Sequence, residues 1–109
     1  MTNTQLAWAA GLFEGEGSIS LKKSTPGRSI TLSVAMTDVD VLQRFNSIFP
    51  GHLTLKNKGA NNPAHYKQMW EWRLHKIADC YAMLLSMLPY FGERRSYQTL
   101  NALDQMDGI

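Results

Sequence analysis

At 109 residues the chain has room for one domain, 1–109, and none for a multidomain enzyme. Its 44% apolar and 18% charged residues match the globular average, which excludes a disordered polymer, and no run approaches the roughly 20 apolar residues of a membrane-spanning helix. A single cysteine, Cys80, excludes an internal disulfide and supplies at most one metal thiolate, so disulfide scaffolds and zinc fingers fall as well. Met1 to Leu6 lack the basic start and apolar core of a secretory signal. The expected location is intracellular, with cytoplasm and organelle matrix not distinguished. Charge says more by position than in total. The net +2 divides into −2 over residues 1–16 (Glu14 and Glu16 alone), +6 over 17–76 (nine lysines and arginines against Asp38, Asp40 and Glu71) and −2 over 77–109 (Arg94 and Arg95 against four carboxylates). The basic middle points to an anionic partner.

In chain order, Thr4 to Glu14 is predicted to be a helix, N-capped by Thr4 and closed by Gly15 and Gly17. Ala7, Gly11 and Gly15 recur every four residues and form a smooth stripe along it. Glycine in a helix costs about 0.5–1 kcal/mol relative to alanine, so Gly11 calls for a closely packed neighbour, either another helix or the chain's own sheet. Ser18 to Lys22 then alternates polar and apolar, Pro26-Gly27 supplies a turn, and Ser29 to Met36 alternates again, the pattern of a hairpin with one wet face. Thr37 and Asp40 have capping-box spacing before Val39, Leu42, Phe45, Ile48 and Phe49, a second helix closed by Pro50-Gly51. A second hairpin is predicted from residues 52–58 and 66–74 around the turn residues 59–63. In it Trp70, Trp72 and Leu74 share the core side, leaving Lys67, Met69, Glu71 and Arg73 on the other. Ile77 to Leu88 has helical spacing, Pro89 interrupts it, and a last helical segment follows Gly92.

This order, αββαββα with the third helix broken or doubled, predicts an α+β fold: a four-stranded antiparallel sheet with helices on one face and an open, saddle-like face on the other. If Ile19, Leu21, Ile30, Leu32, Val34, Leu53 and Leu55 pack on the helices, the open face carries Ser18, Ser20, Lys22, Ser24, Ser29, Thr31, Ser33, Thr54, Lys56 and Lys58. Arg28, Lys67 and Arg73 join them. Lysines and arginines among short hydroxyl side chains suit phosphate positioning with base-edge contacts.

The segment Trp8 to Ser18 resembles the LAGLIDADG motif residue by residue. Ala9, Ala10, Gly11 and Leu12 stand for its first four residues, Phe13 for Ile, Glu14 and Glu16 for the two Asp, Gly15 for the second Ala and Gly17 for the last Gly. With the element order, the resemblance extends over the whole chain to the single-motif LAGLIDADG homing endonucleases. It implies a homodimer whose motif helices pack at a twofold axis through Ala7, Ala10, Gly11, Glu14 and Gly15. It also implies that Glu16, one from each subunit, is the metal ligand, with the Gly15 carbonyl adding an oxygen. Such oxygens, completed by water and phosphate, suit Mg²⁺, and Mn²⁺ or Ca²⁺ can occupy the same donors. Catalytic roles then fall to Glu16, to a basic residue of the segment 88–95 (Arg94, with Arg95 as substitute) and to Asp38 as a water-positioning residue, against an N-cap role for Asp38. Glu14 occupies a position that is generally structural in the family.

The implied activity is that of a Mg²⁺-dependent endodeoxyribonuclease, a phosphodiester hydrolase serving intron or intein mobility. It would cut both strands of a long, near-palindromic target and leave 3′ overhangs. A strand of about seven residues spans roughly 23 Å, or about seven base pairs per half-site. The rivals are an intron RNA-splicing maturase, a cleavage-deficient DNA-binding protein of the same fold, and a dimeric α+β protein with no nucleic-acid role. His52, His65 and His75 show no metal-ligand spacing with one another or with Cys80 and are expected to be solvated.

Overall fold

The computed structural model describes residues 1–23, 28–56 and 68–106. Helix α1 (Asn3–Glu16) begins earlier and ends later than expected, because Thr2 rather than Thr4 is its N-cap. The Thr2 hydroxyl accepts the Gln5 N–H at 3.1 Å, and the Gln5 carboxamide accepts the Thr2 N–H at 2.8 Å, a reciprocal capping box. Gly15 stays helical, so the helix runs on to Glu16 and Gly17 opens the first strand.

Strands β1 (Gly17–Lys23) and β2 (Arg28–Met36) pair antiparallel, with Gly17 opposite Val34 and Lys23 opposite Arg28. Helix α2 (Val39–Ile48) starts after Asp38, whose side chain makes no capping hydrogen bond, so the box expected at Thr37 and Asp40 does not form. Strands β3 (His52–Leu55) and β4 (Trp70–Leu74) pair with each other, and β4 also pairs with β2. The sheet is therefore antiparallel in the order β1-β2-β4-β3. Helix α3 (Ile77–Met87) passes through a 3₁₀ turn, Leu88–Tyr90, into α4 (Glu93–Met106). Pro89, which has no N–H to donate, sits in that turn and makes the third helical region two helices rather than one.

The helices cover one sheet face, and the strand alternation decides what they bury. Ile30, Leu32 and Val34 are fully buried, and Ile19, Leu21 and Leu53 pack at the edge of the core. Trp72 has the parity the alternation assigned. It is buried with its indole N–H donating to the Phe49 carbonyl at 2.9 Å and its ring 4.8 Å from that of Phe45, edge-on. That polar bond satisfies the one donor the ring brings into the core. Gly51 permits the tight entry into β3, since a Cβ there would lie 2.6 Å from the Arg73 carbonyl oxygen and 2.7 Å from the Trp72 indole nitrogen. Among the described residues no helix is long and apolar enough to cross a membrane.

Candidate nucleic-acid interface and metal site

On the open face the alternation exposes Ser18, Ser20, Lys22, Ser29, Thr54, Lys56 and Arg73, with Thr31 and Ser33 half-buried between them. The expected Ser24, Lys58 and Lys67 lie outside the described residues, as does the side chain of Arg28, whose backbone opens β2. Strand pairing sets Ser18, Ser33, Arg73 and His52 in one row across all four strands. His52 therefore belongs to this face, which its shared parity with Thr54 and Lys56 could have signalled. Its ring lies 5.9 Å from that of His75. Glu71 stands on this face as well, 3.8 Å from the Lys56 ammonium and 3.7 Å from the Arg73 guanidinium. It is the only carboxylate among the described strand residues there, and it neutralises one of its two flanking cations.

At one border of this face, α1 ends on Glu16. The carboxylate is exposed and has no hydrogen-bond or ion-pair partner among the described residues. No basic residue occupies the last turn of α1. A carboxylate at the partly negative C-terminus of a helix is unfavourable by about 0.3–1 kcal/mol, a strain that a bound cation relieves. The available donors are a carboxylate and helix-end carbonyls, all hard oxygens, which fit Mg²⁺ or Ca²⁺. Among the described residues no three His, Cys, Asp or Glu side chains gather into a metal-binding group.

The other motif acid behaves differently. Glu14 is half-buried and its Oε2 accepts the Gly92 N–H at 2.6 Å, which ties the end of α1 to the start of α4. Arg95, the residue the sequence ranked second, makes the companion tie. It is 5% exposed, and its Nη2 donates to the carbonyls of Glu14 at 2.9 Å and Gly17 at 2.8 Å. Nη1 donates to Gln98 Oε1 at 2.7 Å, and the guanidinium carbon lies 5.4 Å from the Phe13 ring centre. Burial, then the charge of Arg94, pull the Arg95 pKa below the ordinary arginine value, while Glu14 pulls it up. Arg94 itself is exposed, beside Glu93 and Tyr97. Asp38 is exposed at the N-cap of α2 with its carboxylate uncommitted to the cap.

Ala7, Gly11 and Gly15 form an exposed stripe on α1, and a Cβ built at Gly11 or Gly15 meets nothing within 4 Å among the described residues. The chain's own sheet therefore does not require either glycine. Ala10, expected on the same contact, is fully buried with Ala9 and Phe13 in this chain's own core.

No protein-family model matches the sequence, and no curated protein matches it. Solved structures do. The homing endonuclease I-CvuI in complex with its target in the presence of 2 mM Ca superposes with a TM-score of 0.74 at 18% identity, over 95% of this chain and 66% of that one. The archaeal intron-encoded homing endonuclease I-Vdi141I, complexed with DNA, gives 0.72 at 14% identity, over 97% and 69%. The LAGLIDADG meganuclease I-AabMI bound to uncleaved DNA gives 0.70 at 12% identity, over 94% and 37%. This chain thus spans just under two thirds of I-CvuI and little more than a third of I-AabMI. Its helices and its four-stranded antiparallel sheet are those of the LAGLIDADG homing-endonuclease fold.

Proposed function

We propose that two copies of this chain form a metal-dependent, site-specific DNA endonuclease. The observation that carries this reading is Glu16: an exposed carboxylate without a partner among the described residues, at an unfavourable helix end, flanked by an open small-residue stripe and a basic sheet face. The fold shared with I-CvuI and I-Vdi141I, both solved on DNA, supports the same partner.

In this mechanism the stripes of Ala7, Gly11 and Gly15 meet at a twofold axis and bring two Glu16 carboxylates together. Glu16, with the Gly15 carbonyl, would hold the cation, for which Mg²⁺ is the proposed metal. When bound, the ion supplies charge that polarises the scissile phosphate and steadies the departing 3′ oxygen. Lys22, Lys56 and Arg73 neutralise phosphates or donate to guanine, and the serines and threonines reach base edges in the major groove. Arg94 steadies phosphate charge and Asp38 orients the attacking water. Twofold pairing makes the target long and near-palindromic, with 3′ overhangs after cleavage.

The test begins with native mass by light scattering, where a dimer of about twice 12.3 kDa is expected. A library of duplexes is then screened for cutting with Mg²⁺ and with EDTA. Glu16→Gln should keep DNA binding and lose cleavage. A strict monomer, or Glu16→Gln with undiminished cutting, would overturn the reading. Tight binding to structured intron RNA without DNA cleavage would replace it with the maturase.

A further inference from the structure

Two residues at the start of α4, Gly92 and Arg95, tie down the end of α1, and they differ in what they hold. The Gly92 N–H grips the Glu14 side chain, whereas Arg95 grips backbone: one nitrogen, Nη2, donates to the carbonyls of Glu14 and Gly17, the residues that bracket Gly15 and Glu16. The guanidinium approaches from the core side, with the Phe13 ring nearby and Phe91 stacked on Phe13 at 6.2 Å.

Stability alone gives little reason for a cation in that place. Burying a guanidinium carries a desolvation penalty, and an apolar side chain of similar volume is often as stable. Arg95 Nε is buried without a hydrogen-bond partner among the described residues, which adds to the penalty. Glu14 and Gly17 are only partly buried, so water could satisfy their carbonyls in its absence. What no apolar side chain could do is fix both carbonyls at once, and with them the backbone that aims the intervening residues.

We propose that Arg95 is a positioning residue for the metal, setting the direction of the Glu16 carboxylate and the Gly15 carbonyl from beneath. This rests on Glu16 being a metal ligand. Groups that orient metal ligands from behind are commonly worth about 10–100-fold in metal affinity, and a neutral side chain at 95 should incur a loss of that order.

The experiment compares wild type, Arg95→Met and Arg95→Lys, each bound to the duplex that wild type selects, and counts bound Mn²⁺ by electron paramagnetic resonance. Arg95→Met should bind Mn²⁺ about tenfold or more weakly, with unchanged DNA affinity in EDTA and faster amide exchange over residues 15–18. Arg95→Lys, which keeps the charge but not the planar fork, should recover part of the affinity. Wild-type Mn²⁺ affinity in Arg95→Met would overturn the proposal. If Arg95→Met does not fold, Arg95→Lys decides, and wild-type Mn²⁺ affinity there overturns it. A wild-type protein that binds no Mn²⁺ and cuts no DNA overturns the endonuclease reading and this proposal together. Wild-type cutting with an indifferent Arg95→Met sinks the positioning role alone.

Discussion

Cys80 lies in the first turn of α3, fully buried, with its thiol donating to the Leu74 carbonyl at 3.4 Å. Burial first, and the nearby Asp79 charge second, push its pKa from 9.0 up to about 11. The folded thiol therefore keeps a proton that the unfolded one releases between those values. The native state binds more protons in that window, so this contribution to stability is complete below pH 9 and is lost as pH rises toward 11. Urea midpoints should fall more steeply between pH 9 and 11 for wild type than for Cys80→Ala, and equal slopes would contradict the assignment. Thiol reagents at pH 8 should modify Cys80 only after unfolding. Single residues varied in how legible they were. Trp70, Trp72 and Leu74 announced their side through simple alternation. Arg94 and Arg95 could not be separated, because adjacent residues at a helix start differ only by a rotation that α1–α4 packing fixes.

Among the elements, α1 shows where a local signal outran its reading. Thr2 and Gln5 stand three apart, a capping box already present in the sequence, yet Thr4 also qualified as a cap. The end of the same helix was less readable, since Gly15 and Gly17 both look like stops and only Gly17 is one. The structure also sharpens the meaning of Gly11. With open space around it, alanine at that position should stabilise the isolated chain by about 0.5–1 kcal/mol through helix propensity. The same methyl would stand in the proposed twofold contact. Gly11→Ala is thus expected to raise the urea midpoint under dilute, monomeric conditions and to weaken self-association in sedimentation. A variant that is stabilised and still pairs as wild type would remove the stripe from the interface. Helix α2 makes the opposite point: Thr37 and Asp40 matched a pattern, but the helix begins past Asp38 and the pattern stays unused.

At the scale of the whole molecule, layer architecture followed from element order, whereas strand order did not. The sequence could announce two hairpins, but the β2–β4 pairing joins segments about 40 residues apart, and only the joint burial of Val34 and Trp72 against the helices selects it. That pairing sets Lys56 and Arg73 on the same sheet face as Lys22. DNA affinity should accordingly fall linearly on a log–log plot against salt, with a slope of about −0.9 per phosphate contacted. Lys22→Ala, which removes an exposed side chain from β1, should flatten the slope by about one unit in a filter-binding or anisotropy titration. An unchanged slope would place Lys22 away from DNA. Against this background Glu71 has a kinetic meaning. A surface built only of cations would linger on every stretch of duplex it met, and a protein seeking one long site among very many would spend its time on wrong ones. The carboxylate between Lys56 and Arg73 offsets one unit of that indiscriminate attraction. If the chain is the site-specific DNA-binding protein proposed above, each mistaken stop would be shortened by it, while a correct sequence could still hold the protein through directed hydrogen bonds.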